Sequence, residues 1–122
     1  MPNQEQFPAI FARLKAILQP YAGRLAVTED SPLGYCLGAP GSPSGTLKSM
    51  VAAVYIKKRY VSYHLMAVYA FPDLLTDLSV QLNRRMQGKS CFNFIALDDA
   101  LVDELTQLTA AGFARFRTAQ SV

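Results

Sequence analysis

The chain has 122 residues, of which 51% are hydrophobic and 17% charged, and a formal net charge of +3. That apolar content excludes a disordered chain. The length excludes two ordinary domains but allows a core that buries roughly two thirds of the unfolded surface, with no need of metal or disulfide staples.

The charge is uneven but mild. Residues 1–61 carry seven Lys/Arg against three Asp/Glu, and residues 62–122 carry five against six. This does not demand a nucleic-acid partner. The longest apolar-rich region, Met50 to Phe71, is broken by Lys57, Lys58, Arg59 and His64, so no stretch approaches the roughly 18 apolar residues of a membrane span. Met1 to Gln6 is polar and lacks the basic and apolar segments of a signal peptide, which makes the cytoplasm the expected location. Cys36 and Cys91 are then read as free, packed thiols rather than a disulfide.

Phe7, Ile10, Phe11, Leu14, Ile17, Leu18 and Tyr21 recur at helical spacing, so residues 5–19 are predicted as an amphipathic helix. Pro8 suits its first turn, and Pro20 and Gly23 stop it. Short strands are predicted at Leu25 to Glu29 and at Tyr35 to Leu37, separated by the turn residues Ser31-Pro32-Leu33-Gly34. Gly38 to Gly45 is rich in Gly, Pro and Ser and reads as a loop, either joining strands or lying as a flap over a sheet face.

Residues 48–57 and 60–68 are the strongest strands, forming a hairpin around Lys58-Arg59. Phe71-Pro72-Asp73 begins a helix with its apolar stripe at Leu74, Leu75, Leu78, Leu82 and Met86. Ser79 offers a cap for a second short segment, and Gly88 is the stop. Cys91 to Ala96 is a strand. Asp98 or Asp99 caps a last helix that ends near Ala111, with Gly112 beyond its C-terminus. The expected class is α+β: an antiparallel sheet of about five strands with helices on one face, in the order α-β-β-β-β-α(α)-β-α. One domain spans 1–122, with an ordered core over 5–113 and a frayed tail over 114–122.

Side chains alternate between faces along a strand. A two-residue turn pairs Lys57 with Tyr60, Ile56 with Val61, Tyr55 with Ser62, Val54 with Tyr63, Ala53 with His64 and Ala52 with Leu65. One face then holds Ile56, Val54, Ala52, Val61, Tyr63 and Leu65, and should take the helices. The other holds Lys57, Tyr55, Ala53, Tyr60, Ser62, His64 and Met66. Tyr55, Lys57, Tyr60, Ser62 and His64 are the candidate ligand-binding residues, joined by Lys89 and Asn93 if the last strand lies alongside.

Other motifs are weaker. Gly88-Lys89-Ser90 mimics the end of a phosphate-binding loop, but position 83 is Asn where the motif needs Gly, and the order of strand and helix is reversed. His64 is the only histidine. Alone it makes neither a zinc site nor a nucleophilic pair, and Cys36 and Cys91 are its nearest plausible partners. Lys57-Lys58-Arg59 among Tyr55, Tyr60 and Tyr63 suits a single-strand nucleic-acid binder, but a solvated hairpin tip that discourages edge pairing is the favoured reading.

The run Tyr55 to Met66, followed by Gly88-Lys89-Ser90-Cys91-Phe92-Asn93-Phe94, resembles the YdhG-like bacterial domains of unknown function. The resemblance follows the element order over roughly residues 5–113 and is weakest over 22–47. It implies a helix-backed antiparallel sheet in a cytoplasmic bacterial protein. The wider group includes a frataxin-like iron chaperone, but no iron-binding residue carries over. Hard iron favours oxygen ligands, and most of the acidic residues here sit at helix starts.

The leading expectation is a non-catalytic protein that binds a small molecule or protein partner on the Tyr/Ser/His/Lys face. Iron or metal chaperoning is the alternative, and weak nucleic-acid binding a further one. No cofactor or membrane partner is expected. An open sheet edge or the tyrosine face could support a homodimer.

Overall fold

A computed structural model describes residues 6–39 and 50–120, with side chains to residue 116. Helix α1 spans Phe7–Leu18 and has Pro8 in its first turn. Strands β1 (Ala26–Ser31), β2 (Gly34–Gly38), β3 (Met50–Ile56) and β4 (Val61–Leu65) follow. Next come α2 (Met66–Ala70), a single 3-10 turn at Pro72–Leu75, α3 (Val80–Asn83), β5 (Met86–Gln87), β6 (Cys91–Phe94) and α4 (Asp99–Gln120). The six strands form one antiparallel sheet in the order β1-β2-β3-β4-β6-β5.

The alternation of apolar residues fixes which side of this sheet is covered. Phe7, Ile10, Phe11, Leu14, Ile17 and Leu18 form one buried stripe of α1, which packs on β3 and β4. Facing it are Tyr35, Leu37, Ala52, Val54, Val61, Tyr63, Leu65, Phe92 and Phe94, all in the core. Helix α4 closes this layer with Leu105, Leu108 and Phe113, packing on α1 and α2. The one polar side chain that the hairpin sends into the layer is Tyr63, and its hydroxyl lies 2.6 Å from that of buried Thr109. Pairing two buried hydroxyls avoids the desolvation cost of leaving either alone. Among the described residues, no helix is long and apolar enough to cross a membrane.

The α+β class, the antiparallel sheet and the helical face agree with the sequence, and so do the hairpin pairs. Ala52, Ala53, Val54, Tyr55 and Ile56 face Leu65, His64, Tyr63, Ser62 and Val61, and the Lys57 amide donates to the Tyr60 carbonyl at 2.8 Å. Ser79 caps α3, its hydroxyl accepting from the Leu82 amide at 3.1 Å, and Asp98 caps α4 through the Leu101 amide at 2.8 Å.

Three details differ. The strand expected over 60–68 ends at Leu65, and Met66 opens α2 instead of extending the polar face. The helix expected up to Gly88 is broken into a 3-10 turn, α3 and a sixth strand at Met86–Gln87. The reversal at Gly88 uses φ 79°, a left-handed backbone that costs a glycine least. Helix α4 does not stop at Ala111 but continues to Gln120. Gly112 lies inside it, where a Cβ would come within 2.7 Å of the Ala67 Cβ, so close packing of α4 on α2 accounts for the glycine. The expected loop at 38–45 falls almost wholly outside the described residues.

Candidate functional site

Paired residues on neighbouring antiparallel strands share a face, so the registers alone lay out the other side of the sheet. One row runs Glu29, Cys36, Ala53, His64, Cys91 and Gln87 across β1, β2, β3, β4, β6 and β5. The next row runs Ser31, Gly34, Tyr55, Ser62 and Asn93. Glu29 joins the first row because the register shifts between Val27 and Glu29. An extra residue at that point re-aims the side chains that follow it.

The centre of the two rows is bonded together. The His64 Nε2 lies 3.0 Å from the Ser62 Oγ and 4.0 Å from the Cys91 Sγ. The Cys91 thiol donates to the Asn93 Oδ1 at 3.3 Å. Tyr55 stands edge-on to the His64 ring, with centroids 5.7 Å apart, and the Lys57 ammonium lies 5.1 Å above the Tyr55 ring. The Tyr55 ring needs Gly34 opposite it: a Cβ there would come within 2.6 Å of the Tyr55 Cδ1 and 2.8 Å of a Glu29 carboxylate oxygen.

The protonation states follow from this packing. Burial, and then the Lys57 charge, lower the pKa of His64 below its ordinary 6.5, so the imidazole is neutral at pH 7. Burial raises the pKa of the Cys91 thiol, against a smaller opposing pull from Lys57. Burial, with Cys36 and Glu29 adding to it, raises the pKa of Tyr55 and keeps the phenol protonated. Cys91 and His64 are therefore a neutral thiol beside a neutral imidazole. A nucleophilic cysteine needs the opposite: a lowered thiol pKa beside a charged partner.

Of the seven candidate residues, Tyr55, Lys57, Ser62, His64 and Asn93 come together. Ser62 is only 1% exposed, so it can orient His64 but cannot itself receive a ligand. Tyr60 accepts a backbone hydrogen bond from Lys57, but no described side-chain contact ties it to the cluster. Lys89 is directed elsewhere, 5.8 Å over the ring of Tyr69. Cys91 and Glu29 belong to the rows although the sequence did not mark them as site residues. The alternation of Cys91 with Asn93 was a usable signal for the first, but nothing in the sequence marks the bulge that positions the second.

Cys36 and Cys91 are three strands apart in one row. At about 4.8 Å per strand this is roughly 14 Å, twice the longest Cα separation a disulfide bridges. Both are free thiols. Among the described residues, no three of His, Cys, Asp and Glu converge on a point where a metal could bind. A cleft of about 360 Å³ is lined by residues of 81–85 and 95–101, none of which belongs to the polar rows. Comparison with family models, curated proteins and solved structures yields no match to this chain.

Proposed function

We propose that the chain is a non-catalytic binding protein that receives a small polar ligand on the sheet face bearing Tyr55, Lys57, His64 and Asn93. One observation carries this reading: the cluster spends only part of its hydrogen-bonding capacity on itself. The His64 Nδ1, the Asn93 side-chain Nδ2 and the Lys57 ammonium have no hydrogen-bond or ion-pair partner among the described residues. They share a face on which no described helix packs. Polar groups held in place on strands, with donors and acceptors to spare, suit recognition of a polar molecule. The raised pKa of the Cys91 thiol favours binding over nucleophilic work by that cysteine.

A metal chaperone is less well supported, since His64 and Cys91 supply two donors and zinc or iron needs more. The resemblance to YdhG-like domains is compatible with a binding role and selects no ligand. The test is a thermal melt of the wild type against a panel of phenols, primary amides and hydroxy acids. A ligand that binds the folded state raises the melting temperature. At least one should do so, and His64→Ala and Asn93→Ala should each lose that rise. A rise that persists in both variants, or no rise anywhere in the panel, removes the proposal.

A further inference from the structure

The cleft of about 360 Å³ is independent of the polar face. It forms where two connections meet: Arg84-Arg85 leads from α3 into β5, and Ile95 to Asp98 leads from β6 into α4. Both walls are fixed. Ser79, at the start of α3, gives its amide and hydroxyl to Glu104 of α4 at 2.7 and 2.6 Å. The Asn93 amide holds the Arg85 carbonyl at 2.8 Å. The volume falls within the usual range for small-molecule sites.

The lining is mixed. Arg84, Arg85, Gln81 and Asp98 supply polar groups, and Ile95, Leu97 and Leu101 supply apolar surface. Of the nearby acids, Asp98 lines the cleft with one oxygen held by the Leu101 amide, and Asp99 pairs with Arg13. Neither guanidinium has a carboxylate within ion-pair distance among the described residues. Ile95 stays 43% exposed beside them, an apolar side chain with no described cover.

We infer that this cleft binds a small organic acid, with its oxyanion on Arg84 and Arg85 and its apolar body against Ile95 and Leu101. Paired guanidinium groups suit carboxylate and phosphate oxygens alike, because their forked N–H donors match two oxygens of one group. The apolar wall requires that the anion carry a hydrophobic body.

Amide-resolved NMR with phenyl phosphate, benzoate and inorganic phosphate tests this on the full chain. Phenyl phosphate or benzoate should move the amides of Gln81, Arg84, Arg85 and residues 95–101, and the tighter of the two identifies the oxyanion. Inorganic phosphate should bind at least about tenfold more weakly, since it lacks the apolar body whose burial drives association. The double variant R84A/R85A should weaken the aromatic acid by at least about tenfold, the scale of one lost charge-assisted hydrogen bond. Both arginines are at least partly exposed, so an unchanged amide spectrum elsewhere will show that this variant folds. The inference is overturned if neither aromatic acid moves these amides, if binding survives the double variant, or if inorganic phosphate binds as tightly as phenyl phosphate.

Discussion

Tyr63 and Tyr55 stand on neighbouring strands of one hairpin and point to opposite faces of the sheet. Tyr63 is fully buried under the helices, and its hydroxyl is satisfied by Thr109. Tyr55 is half-buried among Gly34, Glu29, His64 and Lys57, on a face with polar capacity left over. The same residue type thus closes a core on one side and lines a candidate site on the other. What separates the two roles is the company set by strand register. Substitutions on the helical face should cost stability, and those on the polar face should mainly change chemistry.

The largest loss is expected from Leu105→Ala, which empties fully buried space beneath the sheet. A chemical melt should show about 2–5 kcal/mol. Gly34→Ala is the one exception expected on the polar face, at about 1–3 kcal/mol, because the Tyr55 ring and Glu29 must move to admit a methyl group. Tyr63→Phe should cost about 1–2 kcal/mol by leaving the Thr109 hydroxyl without its buried partner. Tyr55→Phe should cost less, at most about 1 kcal/mol, since the hydroxyl meets Glu29 and Cys36 on a half-buried face outside the core. Equal losses for the two tyrosines would break the distinction between the faces.

The polar face should instead declare itself through pH. Burial and Lys57 lower the pKa of His64 in the folded chain, so the unfolded chain binds this proton more tightly. The associated stability is present above about pH 6.5 and is lost as the pH falls through the lower folded value. An NMR titration of the one histidine should give a midpoint below 6.5, and Lys57→Ala should raise it. A midpoint above 6.5 would mean that the imidazole is hydrated or paired with an anion. The smallest effect concerns Cys91, whose raised thiol pKa should make it alkylate more slowly at pH 8 than free cysteine.

The sequence reveals most where its signal is periodic. The hairpin register follows from alternation around Lys58-Arg59, and α1 follows from its apolar stripe. It reveals least where a short apolar run suits either state. Met66-Ala67-Val68-Tyr69-Ala70 continues a strand composition but folds as a helix, an ambiguity that periodicity cannot resolve over five residues. β5 has only two residues, too few to carry any pattern. Gly112 reads as a stop locally, whereas its role is set by Ala67, far away in sequence. Lys89 is expected at the site if the last strand lies alongside; β6 does lie beside β4, but Lys89 precedes it in the turn and reaches Tyr69 instead. Cys91 is a plausible partner of His64 from the sequence, and the pairing of β6 with β4 brings the two together.

The spare donors of the polar face are the centre of this picture, and mapping a bound ligand onto the sheet tests them most directly. Amide-resolved NMR of the wild type, with the compound from the melt panel that stabilises it most, should move the amides of Ala53, Tyr55, Lys57, His64, Cys91 and Asn93. It should leave those of Leu105, Leu108 and Thr109 still. Movement confined to the helices or to the Arg84-Arg85 cleft, with the β3, β4 and β6 amides unmoved, would contradict the assignment of the polar face as the binding site.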